Sequence, residues 1–138
     1  MSNLNLEIVT PERIAYTDEV EMVSVPSVLG TMGILPKHIP LFAALTEGEV
    51  KIKKGNDEVY LSIGGGFVEV TKSKVIILVT RAVHYKELNE VEIAHAKKEA
   101  EEALKQKPTG KELTVAQALL RQSLVDLRIL RRRKLRVH

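Results

Sequence analysis

The chain of 138 residues has no cysteine and no tryptophan, and aromatic residues make up only 4% of it. The first absence excludes disulfides, thiolate metal sites and a cysteine nucleophile, and it fits a reducing compartment. The scarcity of rings weighs against nucleic-acid binding by base stacking, which needs aromatic platforms. No stretch of about 18 apolar residues occurs, so no membrane-spanning helix is expected, and membrane association must come through a partner. The opening MSNLNLEIVTPERIAY has no basic segment ahead of an apolar run, so no secretory leader is expected.

What remains is an ordinary globular composition. Hydrophobic residues make up 44% and charged residues 28%, which suits one domain or a small domain with an appendage. The net charge of +3 hides an asymmetry. Residues 121–138 hold seven Arg or Lys against one acid, Asp126, so that segment is +6 and the remainder −3. The basicity is therefore a local device of the tail.

Up to about residue 85 the pattern is that of strands. NLEIVT and VEMVSV alternate polar and apolar residues. EVKIK and EVYLSI flank KGND as a hairpin, and GFVEV and KVIILV flank TKSK in the same way. The nearly continuous KVIILV predicts a strand covered on both faces. Short strands joined through Gly and Pro predict a sandwich or flattened barrel. GGG at 64–66 is followed by a strand and by no Gly-Lys-Ser/Thr, so it is not a phosphate loop. It predicts a bend where another backbone comes close. One segment fits no element: GTMGILPKHIPLF, residues 30–42, is too broken for a helix and too apolar for a solvated loop.

From about residue 88 the period becomes helical. Ile93, Ala96, Ala100, Ala103 and Leu104 form a stripe, with Asn89 as the cap and Glu90 and Glu92 in the first turn. A stripe of alanines allows close approach but buries little area. KQKPTGKE, with Pro108 and Gly110, ends this helix. A second helix carries Leu113, Ala116, Leu120, Leu124 and Leu127, capped by Thr109 or Thr114. On it Arg121, Arg128, Arg132 and Arg136 are spaced by seven, four and four, which places them on one face. Two readings apply: a solvated C-terminus that complements the helix dipole, or an electrostatic clamp for an acidic surface. Leu127, Leu130 and Leu135 interleave with the arginines, which favours a structured protein groove over bare phosphate. Because the first helix holds the second weakly, the hairpin is expected to open.

The usual marks of catalysis are missing. His38, His84, His95 and His138 show no metal-ligand spacing. Ser24, Ser27, Ser62, Ser73 and Ser123 lie in no nucleophile elbow. The sequence does not read as an enzyme, and no metal site is expected.

GTMGILPKHIPLFAAL, then GGGFVEV and KVIILV, then a helical hairpin, all after LEIVTPERIAY and VEMVSVPS, resemble the epsilon subunits of F-type ATP synthases almost from end to end. The resemblance implies a flattened β-sandwich of about ten strands over residues 1–85 and an antiparallel helix-turn-helix over residues 86–138. It implies a non-catalytic rotor subunit at the foot of the central stalk. Such a subunit couples the catalytic head to the c-ring in proton-driven ATP synthesis, peripheral on the cytoplasmic face of a bacterial plasma membrane. The implied partners are the gamma subunit and the c-ring, with the alpha and beta subunits when the hairpin is extended. By the same resemblance Gly30–Leu41 faces the c-ring, with Thr31, Met32, Lys37 and His38 as contacts. Lys37 replaces the family's glycine, and Thr31 and Met32 fall where relatives often carry an acid, so this loop is less acidic and more basic. Arg121, Arg128, Arg132 and Arg136 are then the contacts to acidic segments of the beta subunits, and they block wasteful ATP hydrolysis. Some relatives bind ATP through Ile/Leu-Asp-x-x-Arg-Ala on the first helix. VEIAHA, residues 91–96, keeps Ala96 but has Glu92 for Asp and His95 for Arg. A longer acid and a mostly neutral imidazole allow at most a weak, pH-dependent ATP site, and no cofactor is expected.

Two rival readings stand beside this one. The first is a nucleic-acid-binding protein with a basic helical hairpin, which the low aromatic content and the leucine seam disfavour. The second is a free-standing regulatory domain that binds a small nucleotide.

Overall fold

The computed structural model of the chain describes residues 3–72 and 74–136, with side chains through residue 133. The chain divides into two compact units, Met1–His84 and Tyr85–His138. The first is built of ten strands: β1 Leu4–Val9, β2 Ile14–Val20, β3 Met22–Ser27, β4 Gly30–Ile34, β5 Leu41–Leu45, β6 Gly48–Lys54, β7 Asp57–Ile63, β8 Gly66–Val70, β9 Lys74–Val79 and β10 Ala82–His84. They are hydrogen-bonded in the order β10-β7-β6-β3-β5-β8-β9-β1-β2, with β4 paired to β3. β1 runs parallel to β9, and the other pairings are antiparallel.

The sheet folds into a sandwich at β3. The first half of β3 pairs with β6, from Met22 opposite Lys53 to Ser24 opposite Lys51. Its last residue, Ser27, pairs with Leu45 of β5. Pro26, which has no amide hydrogen to donate, sits at the changeover. Its carbonyl accepts from Thr46 N at 2.9 Å. A Cβ on Gly48 would lie 2.7 Å from the Pro26 Cβ, so the small residue opening β6 is required there.

Strand alternation then fills the interior. Leu4, Leu6 and Ile8 of β1, Val23 and Val25 of β3, Val50 and Ile52 of β6, and Val75 and Ile77 of β9 are all buried in one cluster. Burying each such side chain contributes about 1.5–3 kcal/mol. The KGND hairpin forms as read, with Lys54 opposite Asp57 and Gly55 at φ +62° in the turn.

KVIILV departs from the expectation of two covered faces. Val75, Ile77 and Val79 are buried, but Ile76 is half-buried and Leu78 is 49% exposed. An apolar run fixes that a strand is apolar on both faces, but it does not supply a second layer to cover the outer one. The glycine run behaves as read. A Cβ on Gly66 would collide with the Leu78 carbonyl oxygen and stand 2.8 Å from Val79 Cα, and one on Gly64 would meet Thr80 Oγ1.

The second unit opens with a 3-10 turn, Tyr85–Glu87, followed by α1 Glu90–Lys105 and α2 Gly110–Arg136, which pack on each other. Asn89 caps α1, its side chain accepting from Glu92 N at 3.1 Å. Thr114 does not cap α2. Its hydroxyl donates back to Gly110 O within the helix, and Thr109 stands just ahead of it. On α1, Ile93 and Ala100 are buried, Ala96 and Leu104 half-buried, and Ala103 exposed. On α2 the leucine stripe holds only in part. Ala116 is buried and Leu113, Leu120 and Leu127 are half-buried, but Leu124 is 46% exposed. Val125 and Ile129 are buried instead, as are the polar Ser123, Asp126 and Arg133.

Two outcomes follow from this packing. Gly66→Ala should lower stability by about 1–3 kcal/mol in urea unfolding, because the new methyl meets backbone that cannot step aside. Gly33→Ala, whose Cβ would meet nothing nearer than Met22 Cε at 3.5 Å, should be far milder. The second concerns Asp18, held below the ordinary carboxylate range first by the hydrogen bond from Lys54 and then by the Glu19 amide. The Lys54 Nζ to Asp18 Oδ2 distance is 2.6 Å. A carboxyl with a depressed folded-state pKa adds stability above its unfolded value of about 3.9 and loses it as pH falls through the folded value. In an NMR titration Lys54→Met should move the Asp18 midpoint upward; an unmoved midpoint would rule the pair out as the cause.

Candidate interaction surfaces

Three surfaces stand out, and none has the make-up of a catalytic cleft. The first is the segment between β3 and β5. β3 and β4 are joined by a two-residue tip, Val28–Leu29, with Ser27 opposite Gly30. Ser27 Oγ donates to Gly30 O at 2.6 Å and accepts from Leu29 N at 3.2 Å, and Gly30 adopts φ +124°. Leu29 is 97% exposed at this tip. Beyond β4, His38 N bonds Leu35 O to close a turn in which Lys37 adopts φ +64°. That left-handed backbone is the one glycine takes freely and lysine only at a cost. His38 Nδ1 lies 2.7 Å from Ile39 O. A carbonyl can only accept, so Nδ1 is the donor in this contact.

Of the four residues read from the sequence as one loop, Thr31 and Met32 lie in β4 instead; Thr31 and Lys37 are exposed and His38 is half-buried. Met32 is half-buried with its side chain packed against the core. The sequence reading passed over Val28, Leu29, Leu35 and Ile39, all exposed large apolar side chains. The signal available was the near-absence of charge through this stretch.

The second surface is the outer face of β5, β8, β9 and β1. Phe42 and Phe67 are the only phenylalanines of the chain. Both point outward and stack, with ring centroids 5.3 Å apart and planes 20° from parallel. Phe67 stands opposite Leu78, which stands opposite Val9. Beside them is a shallow cavity of about 410 Å³ lined by Val9, Pro11, Gly66, Phe67, Leu78 and Thr80, among others. Exposed Glu69, opposite Phe42, brings a charge to this otherwise apolar, ring-bearing patch, and exposed patches of this make-up are common at protein interfaces.

The third surface is the hairpin. Lys97 of α1 joins Leu124, Leu127, Arg128, Arg131 and Arg132 of α2 around a groove of about 620 Å³. Arg121, Arg128 and Arg132 are exposed, and the side chain of Arg136 lies outside the described residues. Arg133 is buried. The residues matched to an ATP motif are not gathered into a cationic pocket. Glu92 is exposed with its amide in the Asn89 cap, His95 is exposed with Nδ1 4.0 Å from Glu99 Oε2, and Ala96 is half-buried. Among the described residues there is no metal-binding group of three His, Cys, Asp or Glu, and no helix long and apolar enough to cross a membrane.

Residues 3–85 match the family described as ATP synthase, Delta/Epsilon chain, beta-sandwich domain. The ATP synthase epsilon chain of Herpetosiphon aurantiacus is 38% identical over 131 residues, covering 95% of this chain and 96% of the relative. That of Alkalihalophilus pseudofirmus is 46% identical over 103 residues, 75% of this chain and 77% of the relative. The sodium ion specific ATP synthase epsilon chain of Propionigenium modestum is 36% identical over 132 residues, 94% of each chain. Among solved structures, a chain of the Euglena gracilis mitochondrial ATP synthase (OSCP/F1/c-ring) aligns with a TM-score of 0.70 at 22% identity, covering 100% of this chain and 83% of that one. A chain of the Tetrahymena thermophila central stalk and c-ring aligns at 0.61 with 15% identity, covering 92% and 96%. These two likenesses bear on the fold.

Proposed function

The chain belongs to the ATP synthase epsilon chains, non-catalytic subunits of the central stalk, and from that premise we propose how its surfaces are used. The β unit is the anchor, and the gamma subunit docks on the outer face of β5, β8, β9 and β1. The outward stacking of Phe42 on Phe67 carries this reading, since a water-facing pair of rings gains most when a partner covers it. The other end of the β unit, with Thr31, Lys37 and His38, meets the c-ring. In this assembly the subunit couples rotation to proton-driven ATP synthesis at the cytoplasmic face of the bacterial membrane, attached only through the complex.

The hairpin is the regulatory part. We propose that α2 leaves α1, extends beside the gamma subunit towards the alpha and beta subunits, and brakes ATP hydrolysis through Arg121, Arg128, Arg132 and Arg136. The exposed arginines on one helix face and the small alanine contact that holds α2 support this reading. Glu92, His95 and Ala96 offer ATP at best a weak site.

Two measurements test the proposal. Leu78→Glu and Phe67→Glu should each weaken binding to the cognate gamma subunit by about tenfold or more, because a carboxylate is left desolvated against an apolar partner. Unchanged affinity would place the gamma subunit elsewhere. ATP hydrolysis by the cognate head with gamma should be inhibited by the full chain but not by a version ending at Lys107 that still binds. Inhibition by neither would make the arginines a solvated face, and binding by neither would remove the β unit as the anchor.

A further inference from the structure

We infer that like-charge repulsion inside the hairpin drives α2 off α1: Lys97 of α1 opposes Arg128, Arg131 and Arg132 of α2, and the ionic strength of the medium sets how far the two helices stay together. This rests on the reading above that α2 leaves α1, and it names what biases that step.

The make-up of the groove is the first observation. Lys97, Arg128, Arg131 and Arg132 wall a groove of about 620 Å³, beside Leu124 and Leu127. Among the described residues no acid lines it. Four cations thus share one cleft, and two leucines offer them no partner.

Missing partners are the second. Lys97 is half-buried, whereas the next residue, Lys98, is exposed. Among the described residues Lys97, Arg128 and Arg131 make no ion pair. Glu101 stands four residues beyond Lys97, the spacing at which two side chains meet on a helix. It neither lines the groove nor bridges to the lysine. Glu90 and Glu92, in the first turn of α1, do not line it either. On α2 the acid closest in sequence is Asp126, which is buried and accepts from Gln122 at 3.3 Å. From Leu127 to Arg136 the sequence has six Arg or Lys and no acid.

Placement is the third. Ile93, Lys97 and Ala100 are spaced by four and three, so they lie on one face of α1. Ile93 and Ala100 are the buried residues of that helix. The lysine therefore interrupts the short apolar stripe by which α1 is buried. Like charges repel within a Debye length, about 8 Å at physiological salt, and added salt screens them. Departure of α2 carries the arginines away from Lys97 and relieves the repulsion. Low salt thus favours the open hairpin and high salt the closed one.

The chain has no cysteine, so Val91→Cys and Gln117→Cys, both at exposed positions, supply the only attachment points for a donor and an acceptor fluorophore. In the labelled full chain bound to its cognate gamma subunit, raising salt from about 0.05 M to about 0.5 M should raise the closed-to-open ratio by about three- to tenfold. Lys97→Gln should raise that ratio at low salt by a similar factor and flatten its salt dependence. Lys97→Glu should invert the dependence, because a carboxylate facing three arginines attracts them and salt then weakens the closed form. Retained binding to the gamma subunit would show that the variants fold. If the hairpin opens but both Lys97 variants keep the original ratio and salt dependence, the inference fails with the brake reading intact. If sulfate or phosphate closes the hairpin and chloride at equal ionic strength does not, a bound anion is the cause and the inference is overturned. If the fluorophores keep one separation at every salt concentration and after the catalytic head is added, the hairpin does not open, and the brake reading fails together with this inference.

Discussion

The β unit depends on one constraint, the period of two along its strands. Every strand that closes the sandwich must turn alternate residues inward, and those residues must fit without voids. The chain meets this with aliphatic side chains, mostly β-branched, from β1, β3, β6, β8 and β9. No phenylalanine lies inside. Gly66 lets β8 and β9 come so close that even a methyl is excluded. With the interior filled this way, the two phenylalanine rings and the alternate positions of β9 face outward. The apolar outer face is thus a by-product of a small aliphatic core, and it supplies a surface that a partner can cover.

The hairpin is built to a different standard. α1 offers only Ile93 and Ala100 as its buried residues, and of these the alanine loses little when its contact is broken. α2 buries Ser123, Asp126 and Arg133, which cost free energy unless they are satisfied. Ser123 donates to Leu119 O at 2.8 Å and Asp126 accepts from Gln122. These bonds lie within α2 itself, so they survive wherever the helix goes. A helix that satisfies part of its own polar load suits a segment proposed to exchange partners.

Much of this was legible in the sequence, and the limits have physical causes. Six of the strands, the KGND turn and the Asn89 cap follow from local chemistry and appear where that chemistry put them, whereas β4, Gly30–Ile34, forms inside the segment that fitted no element. The close backbone approach at Gly66 was readable because only glycine permits it. KVIILV was misread because covering a strand's second face is decided by the layer count, which no single strand encodes. On α2, leucines occupy several faces, so helical spacing alone did not separate buried Val125 and Ile129 from exposed Leu124. The apolar segment at 30–42 stands out as unusual, but Val28 and Leu29 fall between it and the strand pattern at 20–25. Their exposure comes from a two-residue hairpin tip closed by the pairing of Ser27 with Gly30.

The parallel pairing of β1 with β9 has a consequence for synthesis. Leu6 stands beside Val75 and Val9 beside Leu78, so the first strand made must wait for almost the last strand of its unit. Pairings so far apart in sequence close slowly. During that wait the valines and isoleucines of β1 and β3 have no interior to occupy. Translation of the helical residues that follow His84 takes roughly 3–10 s at about 5–20 residues per second. The synthesis of the hairpin thereby gives the sandwich an interval in which to close.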